Sequence, residues 1–563
     1  MIYHCEDHTC NYWDEGEKLP ERCPQCGRKL LRANEADMTG DDWTALGNTL
    51  WYAEASDKKR MVDCFRKAAY LGSAWGVCNL GICMEQGNGV EADPVQAFWL
   101  YQQAVEMGSL NAVCCLGVCY QYGIGTAPDA EKAAELYCKA AEYGSPRGQM
   151  LLARAFHDGI GVEADAAEAV HWVRAAAYQR YGEGMYRLGV CYEYGDGVEQ
   201  NWEHAVHWFR EAAESGVSAA MTDLGYCYEK GCGVEQSWEQ AFSWYRRGAE
   251  CGYPVSMSNL GLCYKRGYGV DQNWQEAIKW YEQGAQCGHL QSMNNLACCY
   301  EDGEGVEQNE ERALYWYRRG AEAGSDYCMY CLGWNYSNGE GVEQNMTEAI
   351  RWYTAAAEGG NADAMHNLGW LYDHGEGVEQ DMKKAICWYE RAAEQNHPAA
   401  MNSLGECYAM GRGVPRDLET AMEWYRRAAE LGEAMADYNM GWHLEQAGKL
   451  SEAYAHYRKA ADGNDDSAWW ALGRFYENGV VVAQDGKEAR RCYETGEKLG
   501  SVKCKMRLAR CKLLGIGGRR EKKAGLDLCR QALELAKESS EKEDYGYEAE
   551  MNLLRRTIAE NES

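Results

Sequence analysis

Four cysteines near the amino terminus have the spacing of a metal site. Cys5 and Cys10 form the first pair, and after a gap of twelve residues a Cys-Pro-Gln-Cys-Gly segment begins at Cys23. Thiolates in two such pairs suit tetrahedral zinc, and the final glycine of the second pair permits a tight turn around the metal. His8 is an alternative to one cysteine, and iron or unliganded thiols are the other two interpretations. The expected ligands are Cys5, Cys10, Cys23 and Cys26.

The expected role of this zinc is structural. Four protein ligands leave no open coordination position for a reacting water. A segment of about thirty residues cannot bury enough apolar surface to fold unaided. Zinc binding supplies on the order of 10–16 kcal/mol in finger-like peptides, which would offset that deficit.

Residues 1–34 resemble a zinc ribbon or rubredoxin-like module. In that family a tyrosine precedes the first cysteine, and Cys-Gly-Tyr closes the first knuckle. Tyr3 and Tyr12 stand in the two tyrosine places, and Asn11 stands in the glycine place. The chain departs from the family pattern in having four residues between Cys5 and Cys10, where two are usual.

Other residues that could do chemistry lack their partners. Ser56–Lys59 and Ser539–Lys542 match the Ser-x-x-Lys pattern of β-lactam-recognising enzymes, but the accompanying Ser-Asp-Asn and Lys-Thr-Gly are missing from the sequence. The recurring Gly-x-Gly segments are not followed by the Gly-Lys-Ser/Thr of a phosphate-binding loop. His366 and His374 lie among no acidic ligands at metal spacing, so we interpret them as surface or groove residues. These observations predict a protein that is not an enzyme.

The elements that must position any binding residue follow from a repeat of 36 residues. A leucine or methionine recurs at this step eleven times, and weaker copies flank the array at Leu46, Leu472 and Leu508. A fixed period of this size predicts a solenoid of stacked supersecondary units that share one core. The eleven positions are Leu80, Leu116, Leu152, Leu188, Leu224, Leu260, Leu296, Leu332, Leu368, Leu404 and Met440.

Each repeat is predicted to form two α-helices. In the first helix the apolar positions lie at −4, −3, 0, +1 and +4 relative to the repeat leucine, which is one stripe of a helix. A glycine at +1, such as Gly225, would let the second helix approach closely. The first glycine of a Gly-x-Gly-Val turn suits a left-handed cap that ends the first helix. Glycines such as Gly216 and Gly252 end the second helix.

A capping residue is predicted at the start of the second helix in every regular copy. Its side-chain oxygen can accept a hydrogen bond from an otherwise unpaired N–H of the first turn. The ten residues are Asp93, Asp129, Asp165, Asn201, Ser237, Asn273, Asn309, Asn345, Asp381 and Asp417.

The repeat resembles the Sel-1-like repeat family, which is related to the tetratricopeptide repeats. The resemblance rests on Leu-Gly-x-x-Tyr, Gly-x-Gly-Val, Ala-x-x-Trp-Tyr and Ala-Ala-Glu-x-Gly, and it covers about residues 40–535. It implies an all-α, right-handed superhelical α-solenoid of about 13–14 helix-turn-helix repeats with a scaffold or adaptor role. The predicted domains are a zinc ribbon at 1–34, the solenoid at 35–538 and a capping helix at 539–563.

The array departs from the family pattern towards its carboxyl end. The step from Met440 to Leu472 is shorter, and the segment after Leu444 looks like a tetratricopeptide turn. Residues 545–560 predict a final amphipathic helix, since a solenoid end requires a polar outer face. Its inward residues are expected to be Met551, Leu554 and Ile558.

Composition limits the partners. The formal net charge of −30 repels phosphate backbones, so nucleic-acid binding is not expected. The same charge is compatible with a basic partner, but a solvated acidic surface is the favoured explanation. No apolar stretch of 18 residues is present, so no membrane span is expected. The first residues do not form a signal peptide, and 27 cysteines are expected to stay reduced in a cytoplasmic protein of bacterial type.

A ladder of cysteines recurs three residues after the repeat leucine. Most copies have no second cysteine at a constant spacing, so the favoured interpretation is small packing residues, with a redox-sensing role as the alternative. The ladder consists of Cys83, Cys119, Cys191, Cys227, Cys263, Cys299, Cys407 and Cys511.

The partner-binding surface is predicted on the first helices, which usually line the concave face of such solenoids. The stripe opposite the core has its densest aromatic patch at Tyr330, Trp334, His366 and Trp370. These rings could contact a protein or peptide partner, or they could pack between neighbouring first helices. The sequence thus predicts a non-enzymatic scaffold with a structural zinc. A redox- or metal-responsive protein or enzyme, using the metal module or its thiols, is the alternative.

Overall fold

The computed structural model of the chain describes residues 2–5, 13–15, 30–33, 35–51, 55–542 and 548–562. Near the amino terminus three short strands form an antiparallel sheet in the order β2-β1-β3. Strand β1 pairs His4 with Trp13 on one side and Cys5 with Leu30 on the other. The strands are β1 (Ile2–Cys5), β2 (Trp13–Glu15) and β3 (Leu30–Ala33), followed by a short 3₁₀ helix at Glu35–Asp37.

The remainder of the described chain is helical. The chain as a whole divides into two compact units, Met1–Ser292 and Met293–Ser563. Fourteen helices lie wholly in the first unit. They are α1 (Gly40–Thr49), α2 (Ala55–Tyr70), α3 (Ala74–Gln86), α4 (Pro94–Glu106), α5 (Leu110–Tyr122), α6 (Ala130–Glu142), α7 (Pro146–Asp158), α8 (Ala166–Tyr178), α9 (Gly182–Tyr194), α10 (Trp202–Glu214), α11 (Ser218–Lys230), α12 (Trp238–Glu250), α13 (Pro254–Arg266) and α14 (Trp274–Gln286).

Helix α15 (Leu290–Asp302) begins at the end of the first unit and continues into the second. The remaining helices belong to the second unit. They are α16 (Glu310–Glu322), α17 (Asp326–Asn338), α18 (Met346–Glu358), α19 (Ala362–His374), α20 (Met382–Glu394), α21 (Pro398–Met410), α22 (Leu418–Glu430), α23 (Ala434–Gln446), α24 (Leu450–Asp462), α25 (Asp466–Asn478), α26 (Gly486–Lys498), α27 (Val502–Leu514), α28 (Lys522–Lys542) and α29 (Glu548–Glu562).

Helices α1 to α28 form fourteen pairs, so the predicted all-α repeat solenoid is confirmed. In each pair we call the odd-numbered helix the first helix and the even-numbered one the second helix. The repeat leucines lie on the first helices, and the predicted core positions are buried there. In α11, for example, Ala220, Met221, Leu224 and Gly225 are buried, and Tyr228 is half-buried.

Glycines set the spacing within and between repeats. A Cβ on Gly225 would lie 2.6 Å from Cε1 of Tyr245, so the absence of a side chain lets the second helix pack against the first. Gly195 ends α9 in the left-handed conformation at φ 74°, as predicted. The second glycine of that turn, Gly197, has an additional role, because a Cβ there would collide with the carbonyl oxygen of Ala166 in the preceding repeat.

The predicted capping residues are confirmed at all ten positions. Asp93, for instance, accepts a hydrogen bond from the Gln96 N–H at 2.9 Å, and Asn273 accepts one from Glu276 at 3.1 Å. The equivalent side-chain caps of the other eight helices are also present. Each cap satisfies an N–H that the helix itself cannot pair.

The carboxyl-terminal helix covers the last repeat. Met551 and Leu554 are buried, and Ile558 packs against the same cluster, as the sequence predicted. Arg507 on α27 makes two hydrogen bonds to Glu550 on α29, with Nε–Oε2 2.7 Å and Nη2–Oε1 2.6 Å. Such a bidentate, mostly buried pair fixes orientation as well as contact. Helix α28 continues to Lys542, past the boundary at 538 that the sequence suggested.

Candidate partner-binding site

The amino-terminal cysteines are described only in part. Cys5 is the last residue of β1, and its backbone pairs with that of Leu30. Cys10, Cys23 and Cys26, together with His8, lie outside the described residues. Within the described ranges, no group of three or more histidine, cysteine or acidic side chains could hold a metal ion.

The cysteine ladder is a packing feature of the first helices. Cys83, Cys227 and Cys407 are almost fully buried, and among the eight ladder residues only Cys191 is half-buried. Burial raises the pKa of the Cys83 thiol to about 12 and that of Cys407 to about 11, so both remain protonated. The described cysteines form no disulfide. This confirms that the ladder residues behave as small apolar side chains.

The four aromatic residues predicted to face a partner differ in their exposure. Tyr330 and His366, two residues before their repeat leucines, are half-buried between neighbouring helices. Tyr330 lies 6.0 Å from the Tyr353 ring, and His366 stacks on His397 at 5.1 Å. Trp334, two residues after its leucine, has 44% of its surface exposed. Packing and exposure therefore both occur on the predicted stripe.

Tyr330 and Trp334 line one cleft of the second unit, which we call the Trp334 cleft. It has a volume of about 360 Å³ and lies along α17. The acidic residues that line it come from the end of α15 and from the turn after α17. The lining residues are Glu301, Asp302, Tyr330, Cys331, Trp334, Asn335 and Glu340.

His366 and Trp370 line a second cleft of about 380 Å³ in the same unit. Trp370 is half-buried and stacks on His374 at 4.4 Å. His366 lies 3.4 Å from the Ser403 hydroxyl, and burial, assisted by His397, lowers the pKa of His366 to about 4. His366 is therefore neutral at physiological pH, and it contributes a flat ring and a hydrogen-bonding nitrogen rather than a charge.

The second cleft also contains a polar network that the sequence did not predict. Arg412 Nη1 lies 3.0 Å from the buried Asp373 carboxylate and Arg412 Nη2 lies 3.7 Å from Glu406. Glu406 accepts hydrogen bonds from Asn402 and Asn439, both at 3.1 Å. Asp373 lies 39 residues before Arg412 in the sequence, so their pairing gives no local sequence signal. The network fixes α19, α21 and α23 at the cleft.

A third cleft, of about 550 Å³, lies in the first unit and differs in its charges. Most of its acidic and basic side chains pair with each other. His157 bridges Asp158 at 2.7 Å and Asp196 at 3.2 Å, and these carboxylates raise its pKa. Arg187 pairs with Glu183 at 3.1 Å. Because these charges are already paired, a charged ligand would gain little electrostatic stabilisation in this cleft.

The repeats match a known family along most of the chain. A profile described as Sel1 repeat matches thirteen segments between residues 76 and 537. This chain belongs to the Sel1 repeat family. The matched segments begin at α3, so the Sel1 repeats include every helix pair of the structure except α1 and α2. No curated protein matches the sequence.

Two solved structures are similar to this chain. A protective antigen of uropathogenic Escherichia coli strains that displays an SLR fold is 29% identical, with a TM-score of 0.52, over 89% of this chain and 94% of that one. A Sel1 repeat protein from Oxalobacter formigenes is 28% identical, with a TM-score of 0.43, over 56% of this chain and 94% of that one. No helix in the described ranges is both long and apolar enough to cross a membrane.

Proposed function

We propose that this Sel1 repeat protein is a non-enzymatic cytoplasmic scaffold that binds a protein or peptide along the first helices of its second unit. The observation that supports this most directly is the exposed Trp334 ring beside a cleft, on a helix fixed by repeat packing. Exposed aromatic rings on rigid elements are typical anchors of protein interfaces. Trp370 borders the next cleft along the chain and extends the same surface.

The rigidity of this surface supports binding with little ordering cost. Tyr317 donates a hydrogen bond to Glu301 at 2.6 Å, and Tyr330 packs against Tyr353, so the walls of the Trp334 cleft are held by the core. A preformed surface loses less side-chain entropy when a partner binds. The buried thiols of the ladder support a reducing compartment, because they act as packing groups only while they stay reduced.

Capture experiments test this proposal. The full chain and its Trp334→Ala/Trp370→Ala variant would be immobilised and exposed to lysate of the source cell, with bound proteins quantified by mass spectrometry. We expect recovery of the partner to fall about tenfold or more, since truncating an interface anchor costs about 2 kcal/mol or more. Tyr315→Ala is the matched control, because Tyr315 is 52% exposed but lies on a second helix. Equal loss in both variants would contradict the proposal.

A structural zinc at the amino terminus is also part of the proposal. The chain leaves β1 at Cys5 and returns at Trp13 opposite His4, and the intervening segment contains Cys10. Strand β3 begins at Leu30 opposite Cys5, four residues after Cys26. The segments that contain Cys10 and the Cys23–Cys26 pair are thus joined to the sheet at Cys5, Trp13 and Leu30, which lie at the same end of it. When bound, zinc would cross-link this end and stabilise the small sheet.

Metal analysis of the intact chain tests the zinc. We expect about one zinc per chain, lost in Cys23→Ser/Cys26→Ser and retained in the control Cys251→Ser/Cys287→Ser. Iron in place of zinc, or no metal in freshly purified protein, would contradict this part of the proposal.

If a chelator or a thiol-blocking reagent changed partner capture while the tryptophan variant did not, the redox- or metal-responsive alternative would replace the scaffold.

A further inference from the structure

The Trp334 cleft carries negative charge without a counterion. Glu301, Asp302 and Glu340 line it, and within the described ranges none of the three forms an ion pair. Glu301 accepts one hydrogen bond, from Tyr317, whereas an ionised carboxylate has about four acceptor positions. Burial raises the pKa of Glu301, and the nearby charges of Asp302, Glu340 and Glu310 raise it further. A cation placed among these carboxylates would relieve their mutual repulsion.

The Trp334 ring is a second feature of the cleft that suits a cation. Tryptophans on second helices of this unit have an arginine of the same helix over the ring, as in Trp388–Arg391 at 4.3 Å and Trp424–Arg427 at 4.5 Å. Trp334 has no such cation among the described residues, although 44% of its surface is exposed. The electron-rich face of an indole attracts guanidinium groups. The ring is therefore available to a cation supplied from outside the chain.

Asn335 provides an independent indication of a ligand. It occupies the ladder position three residues after Leu332, where most repeats have a buried cysteine or another apolar residue. Only 4% of its surface is exposed, and its side-chain Oδ1 has no hydrogen-bond partner in the described part of the chain. Buried acceptors without partners are uncommon because each costs about 1–3 kcal/mol. Asn335 lines the cleft, where a donor from a ligand can satisfy it.

We propose that the Trp334 cleft binds an arginine side chain of a peptide partner. A guanidinium has five N–H donors in a planar fork and stacks on aromatic rings, so it matches carboxylates, an amide oxygen and an indole at once. The volume of about 360 Å³ admits one such side chain. Charge complementarity with a chain of net charge −30 favours a basic segment over an acidic one. This inference rests on the proposed scaffold function and assigns it a class of partner.

Peptide mixtures that differ at one fixed position provide the test. Each mixture contains seven-residue peptides with random flanks and a central arginine, citrulline, lysine or glutamate, and retention on the immobilised full chain is measured. Citrulline keeps the shape of arginine but lacks its charge. We expect arginine to be retained about tenfold better than citrulline, which has no charge for the carboxylates to attract. We also expect it to be retained better than lysine, which lacks the planar group that stacks on the indole and can donate to two carboxylates at once.

Variants of the cleft assign this preference to the named residues. Asp302→Asn/Glu340→Gln and Trp334→Ala should each abolish the arginine preference. Glu307→Gln/Glu343→Gln is the matched control, because these exposed residues lie in the turns after α15 and α17, and the variant removes two negative charges without changing the lining of the cleft. An unchanged melting temperature shows that the variants fold, which we expect because Asp302 and Glu340 form no described ion pair.

The outcomes separate this inference from the proposed function. If arginine and citrulline are retained equally while Trp334→Ala still weakens retention of all mixtures, the binding face stands and the arginine site is wrong. Equal retention of lysine and arginine would also overturn it, in favour of a simple charge effect. A melting-temperature rise with calcium ions alone, lost in Glu340→Gln, would replace it with a metal site. If Trp334→Ala/Trp370→Ala changes neither peptide retention nor lysate capture, the scaffold proposal itself fails.

Discussion

The phenolic hydroxyl of Tyr245 donates a hydrogen bond to the Glu229 carboxylate at 2.8 Å, and this bond joins a second helix to the end of its first helix. The Tyr245 side chain is otherwise buried, with its ring against Gly225. The same bond, between residues 16 apart, recurs in several repeats. The other examples are Tyr101–Glu85 at 2.6 Å, Tyr317–Glu301 at 2.6 Å and Tyr493–Glu477 at 2.8 Å.

One repeat lacks this bond because phenylalanine replaces the tyrosine. Phe209 lies against Gly189 as Tyr245 lies against Gly225, and Glu193 is 16 residues before it. We predict that Phe209→Tyr adds the hydrogen bond and raises the local free energy of unfolding by about 1 kcal/mol. It should also lower the pKa of Glu193, which burial now raises. Native-state hydrogen exchange of α9 and α10 measures the stability change.

The reverse substitution is the control for this prediction. Tyr245→Phe should lower local stability by about 1–2 kcal/mol, because a buried bond to a carboxylate is lost. Suppose that Phe209→Tyr did not slow hydrogen exchange in α9 and α10, while Tyr245→Phe accelerated it in α11 and α12. A tyrosine hydroxyl would then stabilise the repeat of Tyr245 but not the repeat of Phe209. The equivalence of the two repeats would then be wrong.

Val481 is expected to be a weak point of the second unit. It has φ 64°, and it stands where regular repeats have the second glycine of the turn. A β-branched residue in this conformation costs about 1–2 kcal/mol relative to glycine. Val481 is 48% exposed, so it gains little from burial. We predict that Val481→Gly raises the urea midpoint, whereas Val480→Gly, which removes a side chain packed against the core, lowers it.

The parts of the fold that depend on local sequence could be predicted. Helix bounds, caps and the buried stripe follow from 36-residue periodicity and from the preferences of residues such as Asp93 and Gly195, each confirmed in the structure. These features depend on the conformation of a few neighbouring residues and on which face of one helix is apolar.

The candidate site was predicted less completely, because a first helix packs against the first helices of adjacent repeats as well as against its own second helix. Periodicity predicts that residues two before the repeat leucine, such as Tyr330 and His366, lie on the stripe that faces a partner. Asn294 and Asn402 at this position are buried instead, and Asn294 accepts a hydrogen bond from Ser325 on the next first helix at 3.2 Å. Helical periodicity distinguishes the core face of a helix from the opposite face. Contacts between successive first helices bury part of that opposite face, so only positions such as Trp334 stay exposed.

The cysteines should differ sharply in reactivity towards iodoacetamide. Cys251, Cys287 and Cys387 are exposed, whereas burial raises the pKa of Cys227 and of Cys263 to about 12. Only a thiolate reacts quickly, so we predict that native protein at pH 8 is alkylated at the three exposed positions and protected at the ladder. Mass spectrometry of the labelled peptides measures this, with urea-unfolded protein as the control. Rapid native labelling of Cys227 would contradict the packing role.

Asp465 is predicted to make the stability of the second unit depend on pH. It caps α25 by accepting a hydrogen bond from Ala468 at 2.6 Å, yet burial raises its pKa to about 6, with Asp466 and Glu433 adding to the shift. The folded state therefore binds this proton more tightly than the unfolded chain, whose aspartate pKa is about 3.9. Between these values the contribution of Asp465 to the free energy of unfolding falls as pH rises, and the full penalty applies above about pH 6.

Asp465→Asn keeps a good capping side chain and removes the charge. We predict that the variant and the native chain have nearly the same free energy of unfolding at about pH 4. At pH 7 the free energy of unfolding of the variant should be higher by about 1–2 kcal/mol, because only the ionised aspartate carries the penalty. Urea midpoints of both proteins across this range measure the difference. Asp485→Asn is the control, because Asp485 caps the next helix but is exposed. A pH-independent difference for Asp465→Asn would show that the buried carboxylate is already neutral or is paired in solution.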